Sequence, residues 1–509
     1  MWDGDGVEWF ISVIGAWVDV TALGVVSGAT DNSTAVQDAV IAGESCGVHV
    51  FFGEGTWQFN DVVLKSGVHI IGASKTHTIL EQYTETNTSQ LFTNYEGVDT
   101  FGSRTGGYID DVQFTNLTIK SGLTQYSVST EYIGNVYLLN PKSVVFSDCN
   151  IYMKTVGVQL EASADKQDRD SECSVSFERC VFIYPEDIAT TTIDGYSYIN
   201  TVGAVPGINI TQCVFEPCRA AAQVRIFEST VGTEAIGSWG CNVTKNKFLN
   251  NYTPLVSAND ANGLYFRGDT SSIRDNYLYN CEGNFLDVQN SELLTATNPE
   301  AKHKCVLVDG NTFKLDSSGD FQDNALLHNR SSGVKMTNNN FIADWAGSTN
   351  VAECILAKWG ESVTIINNEF DVTGNTTVMQ LISSDTRNLE LVALQVKNNV
   401  IRAPASSSKA AIRLDTYSNN LYADISDNIF IGPSYAVQAL VYDDGAGFVY
   451  PKVKFTGNDG YTDPMLFTGL IDWQEVDGPF NYDVDLNPGA GSLNPSDTTP
   501  FTTLNQIVD

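Results

Sequence analysis

The chain is predicted to be all-β: a right-handed parallel β-helix of about 12 coils, capped at its N-terminal end by a short helix. Two observations carry this. The first is a repeat. An apolar stretch, a small or polar pair, then an Asn or Cys followed two residues on by an apolar residue recurs at Asn116, Cys149, Cys180, Cys213, Asn246, Asn276, Asn311, Asn339, Asn368, Asn399, Asn428 and Asn458. Successive spacings run from 28 to 35 residues. Such a period marks a solenoid, in which each repeat buries its apolar face only against its neighbours. The second is the local pattern. Segments such as VVFSDCNIYM, VSFERCVFIY, VKMTNNNFIA and LQVKNNVIRA alternate with period two and are rich in Val, Ile, Phe and Tyr. Helical spacing is absent, so these read as short strands.

Taken in chain order, the N-terminal cap comes first, over residues 1–60. Asp31 or Ser33 is placed to cap a short helix whose apolar stripe is Thr34, Val36, Ala39 and Val40. A strand over Val48–Phe52, a turn over Gly53–Gly55 and the segment LKSGVHIIG follow. The coils occupy 61–460. In each, the Asn at the corner tolerates left-handed backbone, and its amide can bond groups that the bend leaves unpaired. Stacked coil on coil, these residues form a side-chain ladder. Cys149, Cys180 and Cys213 take the same place as small, unpaired, interior thiols. A second strand family is read in VGVQLEA, AAQVRIF, GLYFRG, NFLDVQ, ALLHNR, CILAKWG, AAIRLD and VQALVYD; a right-handed parallel β-helix usually has three, and the third is poorly resolved in the sequence. Connections after the second strand vary in length, which is where a solenoid places function. The segment 461–509 holds Pro464, Pro479, Pro488, Pro495 and Pro500 and reads as an extended tail.

The opening resembles the pectate-lyase-like β-helix superfamily. That family begins with a short helix, a hairpin of the type GG-x-V-x-F-P-x-G-x-Y, and then L-x-S-x-V-x-L-x-G. Here Gly47–Trp57 and Leu64–Gly72 stand in those places. Phage tailspikes and capsule depolymerases open this way, as do pectin-degrading enzymes. The resemblance implies polysaccharide as the partner, and either a virion tail protein or a secreted lyase or hydrolase. The polygalacturonase elements NTD, DD, HG and RIK do not occur together, and Asp110-Asp111 sits in what reads as a turn, which argues against simple pectin hydrolysis.

Composition narrows the classes. Acidic residues number 61 against 28 Lys and Arg, a net charge of −33. Phosphate binding needs the opposite sign, so nucleic acid is not the expected partner. No stretch is long and apolar enough to span a membrane as a helix. The first residues lack the basic flank of a secretory signal, which points to assembly in a host cytoplasm rather than export. The ten cysteines show no zinc spacing and are expected to be reduced. No cofactor or metal is expected, although the acidic surplus leaves a divalent cation open.

Aligning the second strand by its apolar pair places Glu161, Arg225, Arg267, Asp287, His328, Lys358 and Arg413 in one outward column. Glu228, Asp269, Arg330, Trp359 and Asp415 lie nearby. Four cations in a column suit an elongated acidic glycan, with Tyr265, Trp345 and Trp359 available to stack on sugar rings. The bland alternative is a set of charged strand ends facing water. Glycoside hydrolysis needs two carboxyls flanking the bond, for which Glu228, Asp269 and Asp287 are the candidates. Lyase chemistry needs a base and a cation, the latter from Arg225, Arg267 or Lys358. The substrate-binding set is therefore Arg225, Arg267, His328, Lys358, Trp359, Tyr265 and Trp345. Together these features point to a tailspike-like receptor-binding protein: a homotrimer attached to other virion tail proteins, binding and cleaving host surface polysaccharide. A secreted lyase or hydrolase and a non-catalytic adhesive spike are the competing readings, because fold alone does not choose among them.

Overall fold

A computed structural model describes residues 17–28, 31–83, 89–95, 106–120, 134–153, 156–163, 171–185, 196–227, 229–231, 234–252, 261–289, 305–316, 325–345, 353–358, 362–374, 377–383, 393–405, 410–416, 422–433, 435–441, 452–460, 463–467 and 472–476. The chain divides into two compact units, 1–286 and 287–509.

Each unit is built of coils with three strands. One strand leads into the corner, one leaves it, and one is lateral. Each pairs in parallel with its counterpart one coil on. In the first unit, Phe146 of the leading strand Pro141–Ser147 pairs with Phe177, Ile151 of the trailing strand Asn150–Tyr152 pairs with Phe182, and Val158 of the lateral strand Val156–Glu161 pairs with Ile199. In the second unit the corresponding pairs are Met336 with Ile365, Phe341 with Phe370, and Leu356 with Gln380. The third strand family was hidden in the quoted repeat itself. The corner splits each segment, so its two halves belong to different sheets.

The ladder forms as the repeat predicts, with one change of register. Asn339 Nδ2 donates to Asn368 Oδ1 at 2.9 Å and to the Val308 carbonyl at 3.0 Å. The same contact recurs from Asn368 to Asn399 at 3.0 Å, Asn399 to Asn428 at 2.9 Å, and Asn428 to Asn458 at 2.9 Å. Asn246 and Asn276 repeat it in the first unit. The left-handed residue, however, is the one before the ladder residue. Asp148, Arg179, Gln212 and Lys245 have φ of 53°, 54°, 56° and 57°, and Asn338, Asn367 and Asn398 behave alike. Asn116 itself has φ 57°, and its neighbour Thr118 pairs with Asn150. Leu117, not Asn116, therefore shares the rung of Cys149. Asn116 instead spends its amide on the Gly72 and Ala73 carbonyls of the preceding coil.

All ten cysteines are free, and Cys149, Cys180 and Cys213 are buried in the ladder as expected. Each thiol donates to a carbonyl one coil back: Phe114, Phe146 and Phe177, at 3.3, 3.4 and 3.5 Å. Burial pushes the Cys149 and Cys213 thiols well up. The interior is filled by rings stacked along the coils. Phe114, Phe146 and Phe177 lie 4.7 and 4.9 Å apart, and Phe182, Phe215 and Phe248 4.6 Å apart at each step. Phe313, Phe341 and Phe370 repeat this in the second unit at 4.7 and 4.8 Å. The spacing is that of neighbouring strands, so each ring packs flat on the one below.

At the N-terminal end, a helix spans Ser33–Cys46 with Asn32 as its first cap residue. Asp31 Oδ1 accepts from the Ser33 backbone N–H at 2.9 Å. Asn32 is buried and ties the helix to the coil by bonding the Val26 and Gln58 carbonyls. The buried stripe is Val36, Ala39, Val40 and Gly43, and Thr34 is exposed. At Gly43 an added Cβ would meet the Val48 carbonyl at 2.9 Å, so glycine lets the helix lie close to the first strands. No helix among the described residues is long and apolar enough to cross a membrane.

Candidate functional site

The lateral strands differ from the other two families in being buried on both faces. Gly134–Leu139 and Val156–Glu161 have no half-exposed position. Alternate residues fill the core, and the rest make a polar network on the opposite face. In the first unit, Tyr137 Oη donates to Glu161 Oε2 at 2.8 Å, and Asn200 Nδ2 donates to Gln159 Oε1 at 2.9 Å. Gln159, Asn200, Arg225 and Tyr265 occupy successive rungs of one row. The Arg225 guanidinium lies 4.1 Å from the Tyr196 ring centroid, 4.6 Å from Phe227 and 5.5 Å from Tyr265. Arg267 lies 5.5 Å from Phe227 and 5.2 Å from Tyr265. Rings and guanidinium planes thus hold one another, each contact contributing about 0.5–2 kcal/mol.

In the second unit the network contains a histidine. Arg330 Nε donates to His328 Nε2 at 3.0 Å. That contact assigns the proton of neutral His328 to Nδ1, which faces Asp287 Oδ1 at 3.5 Å. Gln289 Nε2 donates to Asp287 Oδ2 at 2.6 Å. His328 has no exposed surface and Asp287 is 1% exposed. Burial, then the charges of Arg330 and Lys358, hold the imidazole well below its usual range, so it stays neutral. Arg330 and Lys358 are half-buried at the mouth of this group. Further along the same face, Arg413 Nε and Gln380 Nε2 both donate to Asp415.

The single column read from the sequence resolves into two rows. His328 is in register with Leu356, Gln380, Arg413 and Gln438. Lys358 is in register with Ile382 and Asp415, two residues further along each strand. In the first unit Arg225 pairs with Tyr265, so Arg267 lies one row over, and Glu161 pairs with Val202 rather than with a basic residue. A shift of two keeps the face and changes the row, because strand side chains alternate with period two. Asp269 leaves the lateral sheet: its strand pairs with Ser238–Trp239, and its carboxylate accepts from Thr270 Oγ1 at 3.0 Å. Trp345 is 4% exposed beyond a trailing strand and offers no face to a sugar. Tyr265 is 8% exposed and serves the arginine cluster. Glu228 and Trp359 lie outside the described residues. Among those residues no group of three or more His, Cys, Asp or Glu side chains is placed to hold a metal ion.

The sequence alignment put one residue per lateral strand in the column, left Arg330 and Asp415 merely nearby, and missed Gln289. Asp287 works with Gln289, His328 with Arg330, and Arg413 with Asp415. Two polar residues at i and i+2 on a strand otherwise apolar were the available signal, since both must point to the same face.

No protein-family description matches the chain, and no curated protein matches it by sequence. Solved structures do. The N-terminal fragment of gene product 12 of bacteriophage Phi29 superposes with a TM-score of 0.57 at 15% identity, covering 88% of this chain and 71% of that one. The A-module of mannuronan C-5 epimerase AlgE6 from Azotobacter vinelandii gives 0.42 at 12%, covering 86% and 98%. Tailspike protein 3 of bacteriophage CBA120 gives 0.38 at 14%, covering 89% and 62%. At 15% identity the likeness to the Phi29 fragment concerns the fold alone, and with the three families of parallel strands it makes this chain a right-handed parallel β-helix.

Proposed function

We propose that this chain is a tailspike-like receptor-binding protein that binds an acidic host surface polysaccharide on its lateral face and cleaves it by elimination. The observation that carries the reading is the Asp287–His328–Arg330 group. It pairs a neutral imidazole, fully covered in the unliganded chain, with a guanidinium whose withdrawal from Nε2 would open it to the substrate. Asp287, whose Oδ1 lies 3.5 Å from Nδ1, supplies the negative charge that would stabilise the imidazolium when it forms. Arg330, drawn to the uronate carboxylate with Lys358, releases Nε2. His328 then takes the proton beside that carboxylate. The electron pair forms a carbon–carbon double bond, the glycosidic C–O bond breaks, and the imidazolium returns its proton to the departing sugar oxygen, which restores neutral His328.

Paired-carboxylate hydrolysis has less support. Asp287 and Asp415 share this face, but their strands are four rungs apart in the lateral order, about 19 Å. The carboxyls of a glycosidase lie roughly 5–9.5 Å apart. In the first unit, the Arg225 and Arg267 cluster with Tyr196, Phe227 and Tyr265 is a separate candidate contact for acidic sugar. Reduced, buried cysteines suit assembly in a reducing cytoplasm, in keeping with a virion component that attaches to other tail proteins as a homotrimer.

The test is digestion of host capsular polysaccharide by the wild-type chain and by His328→Gln. Unsaturated sugar ends should form with the wild type and vanish with the variant, while binding persists. Binding without any product from the wild type would instead make the chain an adhesive spike.

A further inference from the structure

Asp415 is 2% exposed, whereas the Arg413 side chain beside it is 30% exposed. Both oxygens of the buried carboxylate are engaged: Oδ1 accepts from Arg413 Nε at 2.8 Å and Oδ2 from Gln380 Nε2 at 2.6 Å. A carboxylate buried in this way fixes the guanidinium plane of a side chain that still reaches solvent. Planar, pre-oriented Arg is the side chain suited to a second carboxylate.

The register measures how far this arginine lies from the first cations. Asn329 pairs with Ala357, which brings Arg330 alongside Lys358. From Lys358 the ladder passes to Ile382 and then to Asp415. Arg413 is thus two rungs beyond Lys358, about 10 Å along the coils, and one row back, about 7 Å across them, roughly 12 Å in all. The intervening strand, Met379–Ser383, carries no charged residue. Two cationic positions are therefore separated by one neutral rung.

We propose that Arg413, oriented by Asp415 and Gln380, is a second carboxylate-recognising subsite, and that the glycan carries one acid group per disaccharide, the length that spans two rungs. This rests on the lateral face being the polysaccharide site. It adds the charge spacing of the substrate and a minimum length for tight binding.

Calorimetric titration tests it, with all proteins in the His328→Gln background so that no probe is consumed. The probes are hexasaccharides of alternating glucuronate and N-acetylglucosamine, the corresponding disaccharide, polygalacturonate hexasaccharides, and neutral dextran. Arg413→Gln should weaken the alternating hexasaccharide by about tenfold or more and flatten its salt dependence. Arg413→Lys should fall between, and the disaccharide should not distinguish the variants. Arg413→Gln/Asp415→Asn, which leaves no buried charge unpaired, should match Arg413→Gln and so separates recognition from folding. Unchanged hexasaccharide affinity, or tighter binding of the homopolymer than of the alternating probe, overturns the subsite. The cleavage reading fails separately, if His328→Gln still yields unsaturated ends. No binding of any acidic probe above dextran overturns both.

Discussion

Three consecutive asparagines, Asn338, Asn339 and Asn340, occupy three different environments, and their substitution tests the corner geometry residue by residue. Asn339 Nδ2 donates to Val308 O and to Asn368 Oδ1, and Asn339 Oδ1 accepts from the backbone and side chain of Asn311, all within 2.9 to 3.0 Å. Asn339→Leu removes these four bonds and orphans a buried backbone N–H. At about 1 kcal/mol net per bond, and more for the orphan, the loss is about 3–6 kcal/mol. Asn338 has φ 55°, so Asn338→Ala should cost about 1 kcal/mol in left-handed strain. Asn340 is half-buried on the outer face, and Asn340→Ala should stay within about 0.5 kcal/mol. Urea unfolding gives the three values, and hydrogen exchange at the Asn311 amide localises the first. Solenoids lose coils locally, so exchange should rise there before global unfolding. Equal effects at Asn339 and Asn340, or a larger effect at Asn338, would refute the ladder register.

Four further outcomes follow. Because the His328 pKa is depressed in the folded chain, the unfolded state binds the extra proton first. Stability should be full above the ordinary histidine pKa of about 6.5 and fall as pH drops below it; His328→Gln should flatten that slope in urea titrations at pH 5 and pH 7. Cys149, Cys180, Cys213, Cys241 and Cys281 should resist alkylation until the chain unfolds, since burial removes access and holds Cys241 and Cys281 up at about 12; rapid native labelling read by mass spectrometry would contradict their placement. Arg267→Glu should weaken glycan binding, more at low salt than at high, with an unchanged circular dichroism spectrum; equal weakening at all salt concentrations would argue for lost packing on Phe227 and Tyr265 instead. Light scattering should return the mass of a trimer, and a monomer mass would remove the homotrimer from the proposal.

Much of the architecture was legible because a solenoid writes each coil separately into the sequence. The ladder from Cys149 onward shows itself because every coil must solve the same corner, and an amide or thiol does so repeatedly. Asn116 misled by one position: asparagine suits both the left-handed residue and the rung beside it, and spacing alone does not separate them. The face of the lateral residues was legible for the same periodic reason, whereas their rows were not. Apolar pairs align equally well with a shift of two, and the backbone partners of Arg225 and Lys358 settle the choice. The His328–Asp287 contact joins two strands through a distance that no local pattern encodes. Gln289 was within reach of an i, i+2 reading of NFLDVQ, as was the pairing of Arg330 with His328 in ALLHNR.

Elimination requires His328 to take the proton beside the uronate carboxylate. The direct measurement is ultraviolet absorbance of unsaturated ends during digestion of purified host capsule, followed for wild type, His328→Gln and Asp287→Asn. The prediction is a steady rise for the wild type, none for His328→Gln, and a slowed rise with unchanged KM for Asp287→Asn. Reducing ends that accumulate without this absorbance, at the same rate in all three proteins, would contradict it and place hydrolysis at other residues.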